Sequence, residues 1–293
     1  MTVVVGYLAG KDGVPALHLG IEMARSLHTS LTISTVVPRP WLTPSPARID
    51  AEYAHWAQQL AADSHREATR DLPPLAEGLD VHFHTIQHRS VSGGLVRAVE
   101  ELKADALVLG SAASNRRGQV VIGSTADRLL HSCPVPLAIS SRGFRGCESG
   151  CLSRVTVGYP GTPEAVPVVQ RVAALTDKLD VPLRVVTFAV RGRTMYPPEA
   201  GLHAEDSILA EWADLARNTL ARLRVDGIVG EAVELQVVTG NGWGRALAAV
   251  EWLDGEILAL GTTPRPTLST VFLGSRGTKI VRHSPVPVLV LPS

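Results

Sequence analysis

Short apolar runs rich in β-branched residues alternate along the chain with longer segments of helical periodicity. Runs of this length predict buried strands, and in the first half they fall at residues 3–5, 30–37, 81–87, 106–110 and 135–139. Helices are predicted between them at residues 14–24, 49–71, 95–102 and from Ser124 onward, and the same order returns from Arg154 to Leu291. This alternation predicts an α/β fold of doubly wound parallel sheets with helices on both faces, which bind ligands at the carboxyl ends of the strands.

The second half of the chain repeats the first. The segment Ala106–Gly110 recurs at residues 257–261, Gly123-Ser124 recurs as Gly274-Ser275, and residues 134–136 recur at 285–287, each 151 residues later. The same offset carries Gly93 and residues 98–100 onto Gly244 and residues 249–251. It also carries the helical row Val14, Leu17, Ile21, Ala24 onto Ala165, Val168, Val172, Leu175. A constant offset in separate segments indicates a duplicated domain.

One pair departs from the constant offset. Gly6-Tyr7 matches Gly158-Tyr159 at 152 residues, which predicts one extra residue in the loop after the first strand of the first copy. We expect domains at residues 1–141 and 154–293, joined by a glycine-containing linker at residues 142–153.

Each copy ends in a short apolar strand, at residues 135–139 and 286–291. A bare strand at the edge of a sheet tends to acquire a partner. We therefore expect the two last strands to pair about a pseudo-two-fold axis, which would make an internal dimer.

Composition narrows the classes of function. Lys plus Arg and Asp plus Glu both total 28, so the chain lacks the net positive charge that attracts nucleic acid. The first apolar run has no basic segment before it, and no apolar run approaches the roughly 20 residues of a membrane span. Three cysteines do not suggest a disulfide scaffold. We expect a cytoplasmic protein with neither a nucleic-acid nor a membrane partner.

The loop from Gly110 to Thr125 carries the strongest chemical pattern. A glycine at a strand end lets a ligand approach the backbone, and Gly123-Ser124-Thr125 at a helix start offers amides and hydroxyls suited to a phosphate. Arg116 and Arg117 could add charge-assisted contacts. The alternative interpretation is that Gly123-Ser124 only caps the helix, since serine is a favoured cap residue.

This loop resembles the nucleotide motif of the universal stress protein family: Gly, two residues, Gly, nine residues, Gly, then Ser or Thr. Gly110, Gly123 and Ser124 match that spacing, and so do Gly261, Gly274 and Ser275. The resemblance covers nearly the whole of both copies and is to the tandem members of the family. It implies a Rossmann-like fold of the adenine nucleotide alpha-hydrolase type, a stress-response role, and a loop that holds the phosphates and ribose of ATP.

Two positions in each copy depart from the family pattern. Ala113 and Pro264 stand where the second glycine falls, and Leu8 and Pro160 stand where the family has an adenine-side aspartate. Asp12 comes four residues after Leu8 and is expected to open the first helix. Pro264 also lacks the amide that Ala113 keeps, and only the first copy has a threonine, Thr125, after its Gly-Ser. Any nucleotide should therefore occupy the first copy first, and weakly.

Two further groups suggest other chemistry. His82, His84 and His88 share one face of a predicted strand, but no Cys or carboxylate completes a metal site, so no metal is predicted. Cys147 and Cys151 stand in a Cys-x3-Cys arrangement, which leaves a redox-switched disulfide open as an alternative to two reduced thiols. Cys133 is expected to be a small packed side chain.

Three functions remain. The first is a nucleotide-binding stress regulator, with weak ATP binding in the first copy. The second is a protein of the same fold that binds no nucleotide and acts through contacts with another protein or a second copy of itself. The third is an enzyme, for example in adenylate transfer; no candidate base or nucleophile near the loop supports it, although slow ATP turnover is not excluded. The residues favour the first two.

Overall fold

A computed structural model of the chain describes residues 2–39, 47–72, 76–112, 118–191, 202–264, 271–272 and 274–292. Within these ranges the first copy forms nine elements: β1 Thr2–Gly6, α1 Val14–Ser26, β2 Ser30–Pro38, α2 Ala47–Asp71, β3 Val81–His88, α3 Val91–Glu101, β4 Ala106–Leu109, α4 Ser124–Ser132 and β5 Leu137–Ile139. Its strands lie in the order β3-β2-β1-β4-β5, and every neighbouring pair is parallel.

The second copy repeats this plan after residue 153. Its elements are β6 Arg154–Gly158, α5 Val166–Leu179, β7 Leu183–Arg191, α6 Leu202–Val225, β8 Glu234–Asn241, α7 Trp243–Ala248, β9 Glu256–Gly261, β10 Thr263–Pro264, β11 Val271–Phe272, α8 Gly274–His283 and β12 Val288–Leu291. A 3₁₀ turn at Pro163–Ala165 precedes α5. Five strands of the second copy lie side by side in the order β12-β9-β6-β7-β8. The remaining two described strands, β10 and β11, form a separate two-stranded ribbon.

The two copies share one ten-stranded sheet. Strands β5 and β12 pair antiparallel, with Val288 opposite Ile139 and Val290 opposite Leu137. The predicted pairing of the last strands is therefore confirmed. It leaves β3 and β8 as the outer strands of the combined sheet.

Helices cover both faces of the sheet, as the alternation predicted. Val3 and Val5 of β1 pack in one buried cluster with residues of α1, α2, α5 and α6, whereas Val4 packs in a second cluster with residues of α3, α4, α7 and α8. Successive strand residues point to opposite faces, which is why the strands read as unbroken apolar runs. The strand order reverses between β1 and β4 in the first copy and between β6 and β9 in the second.

The structure corrects the position of the one-residue difference between the copies. Helices α1 and α5 both begin at a Val-Pro pair, Val14-Pro15 and Val166-Pro167, which are 152 residues apart. The strand pairs Val36–Ile86 and Phe188–Val238 keep that offset, whereas β4 and β9 are 151 residues apart. The extra residue therefore lies between the third and fourth strands, not after the first, and the predicted match of Val14 with Ala165 was wrong by one position.

Residues 142–153 are anchored to both copies. The Cys147 amide donates to the carboxylate of Glu22 in α1, and the Leu152 amide donates to Ser26 Oγ over 2.8 Å. On the other side, the Glu148 amide donates to Asp254 Oδ2 over 3.0 Å. The segment is thus held against both copies. No helix in the described part of the chain has the length and apolar character needed to cross a membrane.

Candidate functional site

The candidate loop of the first copy begins at the carboxyl end of β4, beside the point where the strand order reverses. A Cβ placed on Gly110 would lie 3.4 Å from the Asp12 carbonyl oxygen and 3.8 Å from Ala16 Cβ. These are ordinary van der Waals distances, so neither packing nor backbone strain requires a glycine there. A larger residue would therefore fit at this position without displacing its described neighbours.

Hydrogen bonds close the base of the loop. The Ala112 amide donates to Val121 O over 2.9 Å, and the Val121 amide donates to Ser111 Oγ over 3.0 Å. Ser111 Oγ in turn donates to Ser140 O over 2.7 Å, at the end of β5. Both ends of the loop are therefore fixed to the sheet. The remaining predicted contacts of this loop, Ala113, Arg116 and Arg117, lie outside the described residues.

Gly123, not Ser124, is the N-cap of α4. Its extended backbone, with φ −86° and ψ 171°, supports no side-chain cap, and Ser124 follows as the first helical residue with an exposed side chain. The interpretation of Ser124 as a capping side chain is therefore wrong. Within the described residues, no side chain caps the backbone amides at the start of α4, and Thr125 is half-buried beside them.

The loop after β1 is held by helix α2. The Gly10 amide donates to both carboxylate oxygens of Glu67, over 3.2 and 3.1 Å, and the Ala9 amide donates to Ser64 Oγ over 3.1 Å. The Tyr7 hydroxyl donates to Glu67 and to Asp71. Burial, followed by the hydrogen bond and charge of Asp71, raises the pKa of Tyr7 above its usual range.

Glu67 brings a carboxylate to the loop after β1, the loop in which Leu8 stands where the family has an aspartate. Its sequence separation from the loop, 57 residues, explains why the sequence pattern did not reveal it. Asp12 does not open α1, because Gly13 is the N-cap residue and the first turn of α1 carries no acid.

The corresponding glycine of the second copy is in a different environment. A Cβ on Gly261 would lie 2.2 Å from Val168 Cγ2 and 3.0 Å from Val168 Cβ, so close packing against α5 requires glycine there. Pro264 pairs with Val271 in the β10–β11 ribbon, and α8 begins at Gly274 with Ser275 as its second residue. Gly261 is thus explained by packing alone, unlike Gly110.

The histidines of β3 have separate partners. His82 Nε2 lies 2.9 Å from Asp80 Oδ2, His84 Nδ1 lies 3.3 Å from Ser34 Oγ, and His88 Nδ1 lies 2.9 Å from Ser90 O. Within the ranges that the structure describes, no three His, Cys, Asp or Glu side chains come together as a metal site.

None of the three cysteines forms a disulfide in this structure. Cys133 is buried, as expected for a packed side chain, and burial raises the pKa of its thiol. Cys147 Sγ donates to Cys151 O over 2.9 Å, and burial raises the pKa of the Cys147 thiol as well. In this state the two linker cysteines form a hydrogen-bonded turn.

Two doubly wound halves with a glycine loop at a strand end define a Rossmann-like α/β protein. The model of the Universal stress protein family matches residues 1–141 and again residues 152–292. The chain belongs to this family, in its tandem form, as the motif spacing predicted.

Relatives and solved structures agree with this assignment. A universal stress protein of Mycobacterium tuberculosis is 60% identical over 292 residues, covering 100% of both chains. A universal stress protein of Synechocystis is 22% identical over 215 residues, which cover 71% of this chain and 65% of the relative. The crystal structure of a universal stress protein from Archaeoglobus fulgidus has the same fold, with a TM-score of 0.61, 16% identity and coverage of 99% and 98%.

Proposed function

We propose that the chain is a non-catalytic stress-response regulator whose first copy binds an adenine nucleotide weakly, with ATP as the first candidate. The observation that carries the proposal is the contrast between the two strand-end glycines. A Cβ at Gly110 would contact its neighbours only at ordinary distances, so packing does not explain this glycine, whereas a Cβ at Gly261 would clash with Val168. A cytoplasmic location, inferred from composition, belongs to the same proposal.

The start of α4 supports a phosphate at this site. Its first amides meet no capping side chain from the part of the chain that the structure describes, and the positive end of the helix dipole favours an anion. Ser124 is exposed and Thr125 half-exposed, so both hydroxyls are available to phosphate oxygens. Arg116 and Arg117 remain predicted phosphate contacts.

The base and ribose side of the site supports weak rather than tight binding. Leu8 offers no carboxylate, and both oxygens of Glu67 already accept the Gly10 amide. A ribose hydroxyl would have to share that carboxylate with the backbone. The alternative function, a protein of the same fold that acts through contacts with other proteins, rests on these missing contacts.

The test is calorimetric titration of the whole chain with ATP, ADP and AMP. We expect wild-type protein to bind ATP and the Gly110→Ala variant to bind it at least about tenfold more weakly, a loss of about 1.4 kcal/mol. The added methyl contacts the protein only at ordinary distances, so the variant should remain folded, and under the proposal the loss of affinity comes from its contact with the nucleotide.

Gly230→Ala is the matched control. Gly230 is exposed, and a Cβ there would meet no atom within 4 Å, so this variant should bind as wild type does. Failure of all three nucleotides to bind at millimolar concentration would reject the nucleotide site and favour the alternative. Unchanged affinity in Gly110→Ala would place any nucleotide elsewhere.

A further inference from the structure

The second copy contains a cavity of about 320 Å³ at the carboxyl ends of β6 and β7. Its floor is formed by Pro160, Gly161 and residues 187–190, and its walls come from the two helical layers on opposite faces of the sheet. Cavities of this size and position hold small ligands in doubly wound proteins.

Aromatic rings dominate the walls. Trp212 comes from α6, whereas Trp243 comes from α7 on the other face and packs against Phe188, with ring centroids 6.2 Å apart. Trp212 is 53% exposed and the neighbouring Leu215 is 66% exposed. Large apolar side chains exposed at the opening of a cavity are typical of a site that an apolar ligand covers.

An arginine gives the cavity a positive charge. Among the described residues that line it, Arg276 is the one charged side chain; it is exposed and lies in the first turn of α8. The first copy is different at the equivalent strand ends, where Ser64 and Glu67 hold the amides of the loop after β1. Gene duplication has thus left a polar, acidic environment in one copy and an aromatic, cationic one in the other.

In the described part of the second copy, the cavity lacks the free glycine and the backbone amides that would hold a nucleoside polyphosphate. Gly261 is covered by Val168, and neither Pro160 nor Pro264 has an amide to donate. Aromatic faces and one guanidinium instead match a flat ring with a single negative group. We infer that the cavity of the second copy binds a planar aromatic acid, by stacking on Trp212 and Trp243 and pairing of the acid group with Arg276.

Calorimetric titration of the whole chain with 2-naphthoate tests this inference. Trp212→Ala should weaken binding about tenfold through the lost stacking, and Arg276→Gln should weaken it by a similar factor through the lost charge-assisted contact. Both side chains are exposed, so both variants should remain folded. Trp56→Ala, at a tryptophan of α2 that is 47% exposed, is the matched control and should bind as wild type does.

Two analogues of 2-naphthoate test the charge contact and the stacking contact separately. Neutral 2-naphthalenemethanol should bind more weakly than 2-naphthoate, and its affinity should not fall further in the Arg276→Gln variant. Cyclohexanecarboxylate should bind poorly because it cannot stack.

No binding of 2-naphthoate at millimolar concentration, or equal binding by all the variants, would overturn the inference. Competitive displacement by ATP at equal affinity would also overturn it, because it would make the cavity a nucleotide site. The Gly110→Ala experiment is independent of these outcomes, since it concerns the first copy.

Discussion

At the scale of single residues, a buried carboxyl group joins the first copy to the linker. Glu22 of α1 is 1% exposed; one of its oxygens accepts the Cys147 amide, and the other has no hydrogen-bond partner among the described residues. Burial raises the pKa of Glu22, with a smaller contribution from the charge of Asp254. The neutral acid is therefore favoured in the folded protein relative to the unfolded chain.

This shift predicts how stability depends on pH. An acid whose pKa is raised on folding stabilises the fold fully below its unfolded value, about 4.3, and that contribution is lost as pH rises through the folded pKa. Glu22→Gln removes the titration, so urea unfolding should show its stability relative to wild type increasing from pH 4 to pH 8. Glu100→Gln, at an exposed position on α3, should show no such trend, and a parallel course for Glu22→Gln and wild type would contradict the assignment.

The sequence revealed some site residues and not others, for a physical reason. Gly110, Gly123 and Ser124 lie close together in the sequence at the spacing of the family motif, so the pattern located the loop. Glu67 and Trp212 act across long sequence separations from helices whose polar and apolar positions are ordinary for amphipathic segments. Only the packing of α2 and α6 against the strand ends identifies them.

At the scale of elements, the start of α3 shows why one boundary was missed. The pattern predicted a helix from residue 95, and Gly93 and Gly94 just before it have low helix propensity. The helix begins at Val91, where the Ser90 side chain accepts the Gly93 amide over 3.2 Å. A Cβ on Gly94 would lie 2.5 Å from Val36 Cγ1, so glycine lets α3 approach β2 closely. Tertiary packing outweighed local propensity.

The serines at the starts of α3 and α4 form a matched pair. Ser90→Ala removes a side-chain cap and should reduce the free energy of unfolding by about 1 kcal/mol. Ser124→Ala should change it by less than about 0.5 kcal/mol, because Ser124 follows the N-cap residue and its side chain is exposed. Urea denaturation of the two variants measures both values, and equal losses would show that Ser124 caps α4 after all.

At the scale of the whole molecule, the two copies are joined by a strand pairing within one chain. The pairing of β5 with β12 satisfies the two edges that were expected to need a partner, and this part of the fold followed from the sequence because both last strands are short and apolar. Among the described residues, the outer strands β3 and β8 each pair with a single neighbouring strand, β2 and β7, and leave their other edge unpaired. Assembly into homo-oligomers and the domain limits at residues 141 and 154 stay predictions.

We propose that the two copies of one fold carry different ligand sites, with the nucleotide in the first. Hydrogen–deuterium exchange of the whole chain, with and without ATP, tests it most directly because it locates protection along the sequence. We expect ATP to protect peptides within residues 106–130 and to leave the equivalent peptides at 256–283 unchanged, with a dissociation constant weaker than about 100 μM, corresponding to about −5.5 kcal/mol. Equal protection of both segments, or protection of the second alone, would contradict the account.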